Sequence, residues 1–446
     1  MAGGRHACDV VVAGAGTAGV VAAVAAARAG ARTVLVESKG YPGGIAVEGG
    51  TALHSYYNLW KAFPGVEKRQ VVRGIPSEIV DRLVTVGGTS GHAEMTEGYD
   101  YDCVCTAVDA EAYKLVAFEM LDEAGVDLWM NTMLVDAQTE GGRIVAVDTQ
   151  GRSGREEISA AHYIDATGYG DLAAACGARY TEPNDYPVAN SMGVGGVDVE
   201  AFHRWLREHS AVKQYAEGVR SGVPGRIVRV DADRTRLPKA FQHEADAIGM
   251  AIVITTVHDD YFMFVKINAP ADASPTSRAA SSRAELELRR RQRRSIELIR
   301  TWIPGASKAF IARTSPSLCI RRGRCIVCDY DISASDVVEA RHFADDVATY
   351  GFHDSAPRIQ IRNGGTYGIP YRALLPRGVE NLFVAGMMIT SDHDAHMSTR
   401  NTVSCMAQGQ AAGTAAALCA SAGYATRDLP YPVLRNALVA GGVYLE

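Results

Sequence analysis

Apolar positions along this chain first come as a solid block, Val10–Ala13, then as a small-residue stretch, Val20–Gly30, with glycine-rich sequence between them. The block predicts a buried strand, the stretch a helix, and Thr33–Val36 a second buried strand ending on Glu37. Ala110–Ala124 has helical periodicity, with Val116, Met120 and Leu121 on one face. Strands are predicted at Asp127–Met130, Thr132–Gln138 and Ile144–Asp148, the last two forming a hairpin through Gly141-Gly142. Tyr163–Asp165 predicts another strand, running into the glycine loop Ala166-Thr167-Gly168 and a helix over Asp171–Cys176. The texture then changes. From 185 to 365 the chain is richer in Arg, His and Asp. That stretch predicts a helix at Val199–Glu217, strands at Ala251–Val257 and Tyr261–Ile267, a linker over 270–282 and a long helix at Arg283–Ile303. A final strand falls in Val379–Gly386. The alanine-rich helix Ser404–Ala420 follows, with Gly409 and Gly413 one turn apart and suited to close packing on another backbone.

Residues 10–27 are apolar enough to suggest a membrane span, but the glycine turn divides them into strand and helix, so no membrane association is expected. The chain has 446 residues, room for two or three domains or one elaborate one. Its net charge of −6 argues against nucleic acid as a partner. The arginine run 289–294 is read as a solvated helix face, because Leu288, Ser295, Ile299 and Ile303 form one buried stripe. The first residues show no basic segment ahead of an apolar core, so a cytoplasmic location is expected. Nine scattered cysteines read as reduced thiols. Cys325 and Cys328 fall in an apparent strand, where i and i+3 point to opposite faces, and no metal site is expected there.

The segment between the first strand and helix is G-x-G-x-x-G, with Gly14, Gly16 and Gly19. Strand, glycines, helix, second strand and terminal acid arrive in the order that a dinucleotide site requires. Gly14 permits the tight turn, Gly16 lets the backbone approach a pyrophosphate, and Gly19 lets helix and strand pack closely. The first helical N–H groups then face the phosphates. Glu37, eighteen residues past Gly19, is placed to receive a ribose diol. Gly193-Val-Gly-Gly has neither flanking strand nor helix, so no separate nicotinamide-binding domain is expected.

Three segments together resemble the FAD-dependent oxidoreductase family, among the glutathione-reductase-like flavoproteins and distantly similar to the fumarate reductase flavoprotein group. They are the fingerprint through Glu37 and Gly43-Gly44, the Ile164–Ala173 box, and Asn381–Gly386 with Gly409–Gly413. The resemblance implies an α/β protein: a Rossmann-like FAD-binding domain of glutathione-reductase type from residues 1–184 and 366–446, with an inserted α+β substrate (cap) domain at 185–365. It implies FAD as cofactor, with Ala15, Thr17, Ala18, Glu37 and Ser38 holding its ADP half. Gly43, Gly44 and Ile45 would run beside pyrophosphate and flavin, and the Val135 backbone would meet the adenine. Ala166, Thr167, Gly168 and Asp171 would lie near the cofactor, and Gly386 near the ribitol. Ser404, Cys405 and Met406 would begin a helix aimed at the flavin, where its dipole suits an anionic reduced ring. Two departures are visible. Met387 replaces the family's arginine after Gly386, and Cys325 and Cys328 replace an arginine and a glycine.

The candidate chemistry lies in Ser391–Arg400, read as a loop ahead of that helix. His396 and Arg400 resemble a carboxylate-gripping pair of the fumarate reductase group, and His393 matches a histidine of the nearer family. A histidine can take the proton released as hydride leaves a C–H, and arginine offers a planar fork to a carboxylate. Arg321 is favoured over Arg324 for the pocket. The expected function is removal of a hydride from a small polar or carboxylate-bearing metabolite, with electrons passed to oxygen, a quinone or a redox partner. The alternative is a flavoprotein with structural FAD, or one performing a non-redox elimination or isomerisation.

Overall fold

A strand becomes wholly apolar when both of its edges and both of its faces are covered, and Val10–Val12 meet that condition. In the computed structural model, which describes residues 4–49, 52–96, 102–270, 274–356 and 358–446, β1 (Arg5–Ala13) is followed by α1 (Thr17–Arg28) and β2 (Thr33–Val36). β2 lies parallel to β1, with Val12 beside Leu35. α2 (Ala110–Glu123) is capped by the Asp109 carboxylate and buries Tyr113, Val116, Met120 and Leu121. It leads to β3 (Asp127–Trp129), parallel on the outer edge of β2. β4 (Met133–Glu140), β5 (Arg143–Gly151) and β6 (Gly154–Asp165) form an antiparallel meander. β6 then runs parallel along β1.

The second half of the chain begins with β7 (Val188–Gly195), β8 (Tyr261–Ala269), α3 (Arg278–Trp302) and β9 (Phe310–Thr314). These three strands form a separate sheet in the order β8-β7-β9. Their apolar residues, with α3 and the helix Val199–Glu208, make a second core over residues 188–320. Residues from Ile326 to Ile361 pack instead into the first core. The chain then returns to the large sheet as β10 (Leu382–Val384), parallel to the end of β6. α4 (His393–Thr399) and α5 (Thr402–Ala422) follow. The parallel order across the main sheet is thus β3-β2-β1-β6-β10. α5 crosses α1 at backbone contact distance. A Cβ on Gly409 would lie 2.2 Å from the Ala18 carbonyl oxygen, and one on Gly413 would lie 2.1 Å from that of Ala22.

Four local expectations are corrected. The helix expected through residue 217 stops at Glu208, because Ser210 takes φ +52° and Val212–Arg220 becomes a strand paired with Val223–Ala232. The expected linker gives way to helix at Arg278, where Ser277 caps α3 through the Ala280 N–H. Within 324–330 only Cys325–Ile326 is strand. The segment 391–400 is mostly helix, not loop, since the Asp392 carboxylate accepts the Asp394 and Ala395 N–H groups. The arginine face of α3 does more than meet solvent. Arg289 donates to the Ser315 carbonyl and Arg291 to that of Asn268, pinning helix to sheet. No helix among the described residues is long and apolar enough to cross a membrane.

Candidate active site

Parallel strands all present their carboxyl ends to one edge, and a cavity of about 770 Å³ opens there. Its lining follows the strand order: Glu37 after β2, Gly14 and Gly16 after β1, Ala166–Gly168 after β6, Ala385–Met387 after β10. The opposite wall comes from residues 316–321 and from Ser281, Ser282 and Glu285 of α3.

Local chemistry fixes each part of the near wall. The Glu37 carboxylate accepts the Ala15 N–H at 2.7 Å and the Lys39 N–H at 2.8 Å, which aims it across the first glycine turn. Gly43 N–H donates to the Ala15 carbonyl at 2.8 Å, so the two glycine loops touch. At Gly44, with φ +46°, a Cβ would lie 2.8 Å from the Gly16 Cα, so no side chain fits between them. Asp165 is fully buried at the end of β6 and accepts the Thr167 N–H, the Thr167 hydroxyl and the Ala173 N–H. Burial pushes its carboxyl up to about 6. It shapes the 166–168 turn. Across the cavity, the Gln408 side chain accepts the Gly386 N–H and donates to the Thr399 carbonyl, both at 2.8 Å.

Two helices point uncapped N-termini at this space. α1 starts at Gly16 and α5 at Asn401, and neither has a side-chain cap or an acidic residue in its first turn. Both starts line the cavity. The helices Ala110–Glu123, Val199–Glu208, Arg278–Trp302 and His393–Thr399 all carry side-chain caps. Uncapped N–H groups suit a pyrophosphate at α1 and a reduced, anionic ring at α5. Glycine cradle, free helix ends and an acid for the ribose therefore fit FAD.

The expected cofactor residues separate into three groups. Gly14, Gly16, Thr17, Ala18, Glu37, Ser38, Gly44, Ile45, Ala166, Thr167, Gly168, Asp171, Gly386 and Cys405 line the cavity. Ala15, Gly19 and Gly43 support its turns, while Ser404 and Met406 are buried within α5. Val135 follows the lining residues Thr132–Leu134, and its side chain is exposed. Met387 lines the cavity in the arginine's place.

Of the candidate catalytic residues, Arg321 and Arg400 line the cavity together. Arg400 pairs with the Asp354 carboxylate. Arg324 is drawn away to Asp171, at 2.8 Å. His396 sits behind the wall. It is 1% exposed, its Nε2–H donates to the Arg321 carbonyl at 3.0 Å, and Nδ1 has no hydrogen-bond partner. Burial, with Arg400 nearby, pushes its ring down to about 3, so it stays neutral. His393 lies outside the lining, its Nδ1 2.9 Å from the Asp185 carboxylate and its ring stacked on Tyr186. The buried Arg322 ties the same Asp185 to the Ser391 carbonyl. The buried Tyr367 and Tyr371 spend their hydroxyls on Ser398 and the Thr426 carbonyl. Asp165, Asp354 and Gln408 escape a sequence reading. Only Gln408 leaves a signal, a polar side chain amid small residues.

The model of the family described as FAD dependent oxidoreductase matches residues 9–438. No curated protein sequence matches significantly. Among solved structures, a geranylgeranyl bacteriochlorophyll reductase-like protein from Thermoplasma acidophilum superposes with TM-score 0.50 at 14% identity, over 98% of this chain and 83% of that one. The p-nitrophenol 4-monooxygenase PnpA of Pseudomonas putida DLL-E4 superposes with TM-score 0.45 at 13% identity, over 98% and 89% of the two chains. OxyS anhydrotetracycline hydroxylase of Streptomyces rimosus gives TM-score 0.47 at 12% identity, over 98% and 66%. With the match spanning nearly the whole chain and the cavity shaped for the cofactor, this protein belongs to the FAD dependent oxidoreductase family and is an enzyme whose cofactor is FAD.

Proposed function

We propose that the enzyme oxidises a small carboxylate-bearing metabolite, in a nucleotide-binding domain of glutathione-reductase type covered by the second core. One observation carries this reading. Arg321 lines the cavity, and among the described residues no acid or hydrogen bond engages its guanidinium. An unmatched guanidinium beside a cofactor cavity is a ready fork for a carboxylate. Bound FAD supplies the hydride acceptor. Arg321 and Arg400 would orient the acid so that its reacting C–H meets that acceptor. His396, neutral and hydrogen-bonded to the Arg321 carbonyl, acts as a positioning residue for that arginine. The N-terminus of α5 would favour the charge that reduction places on the ring. Electrons then leave to oxygen, a quinone or a redox partner.

The test pairs each candidate acid with its methyl ester in anaerobic mixing with the FAD-loaded enzyme. The acid should bleach the flavin band faster, and Arg321→Ala should erase that preference while keeping FAD. Equal rates for acid and ester in the wild type would sink the carboxylate reading.

A further inference from the structure

Glu48 ends the short helix Ile45–Glu48, which springs directly from the Gly43-Gly44 turn. The Val47 and Glu48 N–H groups both donate back to the Gly44 carbonyl, at 3.1 and 2.9 Å, so Glu48 is tied to the loop that lies on Gly16. From there it reaches the opposite wall. Its main-chain carbonyl accepts the hydroxyls of Ser191 on β7 and of Ser315. One oxygen of its carboxylate accepts the Ser317 hydroxyl at 2.5 Å, and the other accepts the Lys39 ammonium and the Tyr41 hydroxyl. Lys39 also donates to the Ser317 hydroxyl, at 3.2 Å. Lys39, Tyr41, Glu48 and Ser317 all line the cavity, so its two walls touch here.

Ser317 belongs to the stretch that carries Arg321. The Ser315 N–H donates to the Ser191 carbonyl at 2.8 Å, and Cys319 and Ala189 exchange backbone bonds at 2.8 and 3.2 Å, so the stretch lies along β7 as one piece. Residues 317–321 all line the cavity. Fixing Ser317 against Glu48 therefore sets how far Arg321 stands from the glycine loop. The bridge is not needed to hold the two halves of the molecule together. Ala93, Met95 and Ala107 share a hydrophobic cluster with Ala216, Val228 and Met263, and His258 lies 2.9 Å from Asp109, all outside the cavity lining. The Glu48 side chain is only 8% exposed. A buried charge adds little stability even when paired, and the best-attested use of such a pair is to fix register.

We propose that Glu48 is a positioning residue for substrate binding, acting through Ser317 to hold Arg321 at a set place beside the cofactor's glycine loop. Lys39 completes the bridge. Its ammonium is shared by Glu48 and Ser317, while its backbone N–H donates to the Glu37 carboxylate, so the ribose acid and the substrate wall meet in one residue. The role rests on the carboxylate reading above, because Arg321 is the group being placed.

The experiment follows anaerobic flavin reduction by the same acids and methyl esters over a range of concentrations, in the FAD-loaded wild type, Ser317→Ala, Ser317→Thr, Glu48→Ala and Glu48→Ala/Ser317→Ala. Retained FAD and melting temperature are recorded for each. Ser317→Ala should weaken apparent binding of the acid about tenfold, a hydrogen bond to a charged group being worth that much or more. Its limiting reduction rate and its handling of the ester should stay near wild type. Ser317→Thr keeps the hydroxyl and should restore acid binding. The double variant should lose no more than Glu48→Ala alone, because the two residues act through one bond. Should Glu48→Ala not fold, the two Ser317 variants decide. Wild-type acid binding by Ser317→Ala would overturn the proposal. So would equal weakening of acid and ester, the mark of a wall merely loosened, or loss of FAD from Ser317→Ala, which would assign that hydroxyl to the cofactor. If no acid outruns its ester in the wild type, the carboxylate reading falls and the role of Glu48 with it. If Arg321→Ala erases the preference for the acid while Ser317→Ala keeps it, only Glu48 is misassigned.

Discussion

Gly413→Ala sets two physical effects of known sign against each other. In a free helix the change stabilises by about 1 kcal/mol, because alanine is the better helix former. In this fold the new Cβ would lie 2.1 Å from the Ala22 carbonyl oxygen, with the Ala22 carbonyl carbon and Cα both at 2.9 Å. Relief to an ordinary contact of 3.4 Å requires α5 and α1 to separate by 1.3 Å, which is 3.4 less 2.1. A gap of that size forfeits about half of each dispersion contact along the crossing. Overpacking of this kind costs ~1–3 kcal/mol, and the upper end applies because the obstacle is backbone, not a movable side chain. Against the propensity gain, the net loss is ~2 kcal/mol. The assay is chemical denaturation followed by far-ultraviolet circular dichroism, with Ala22→Gly/Gly413→Ala as the control. Truncating Ala22 removes only its methyl and leaves the carbonyl, so the double variant should not recover. A neutral or stabilised Gly413→Ala, or full rescue by Ala22→Gly, would refute the crossing described here.

Three further outcomes are expected. Glu37→Ala removes the acceptor of the Ala15 N–H together with the ribose acceptor, and should weaken FAD binding ~10–100-fold, read as cofactor retained on gel filtration. Arg400→Lys should weaken substrate capture by about 2–5 kcal/mol with FAD still bound, since an ammonium cannot reproduce the guanidinium fork; an unchanged KM would remove Arg400 from the site. The His258 ring lies 2.9 Å from the Asp109 carboxylate, which raises its pKa despite partial burial. The stabilisation this brings is therefore complete below pH ~6.5 and is lost as pH climbs through the raised value, and the half-exposed ring holds it to ~1 kcal/mol or less. His258→Gln should lower the melting temperature at pH 6 and leave it unchanged at pH 9.

What could be read from the chain was local. Val10–Val12, Gly14 and Glu37 specify strand, turn and acid within thirty residues, and each does its work beside its sequence neighbours. Gly409 and Gly413 announce a close crossing, although only the fold names α1 as the partner. The helix expected through residue 217 ran on because the apolar spacing past Glu208 fits a helix as well as a strand, and Ser210 at φ +52° decides between them. By sequence His396 reads as a base, because histidine, three residues and arginine suggest a site. Its burial comes from Arg321, seventy-five residues earlier, which no spacing within Ser391–Arg400 records.

Hydride transfer from a carboxylate-bearing substrate to FAD in this cavity would bleach the flavin. It is tested most directly by mixing the FAD-loaded enzyme, without oxygen, with hydroxy acids, amino acids and cyclic alcohols while the flavin absorption band is recorded. At least one acid should bleach the band within the time of turnover, Arg321→Ala should slow this bleaching, and oxygen or an added quinone should restore the colour. A substrate consumed while the flavin stays oxidised throughout, or reduction by uncharged alcohols alone, would contradict it.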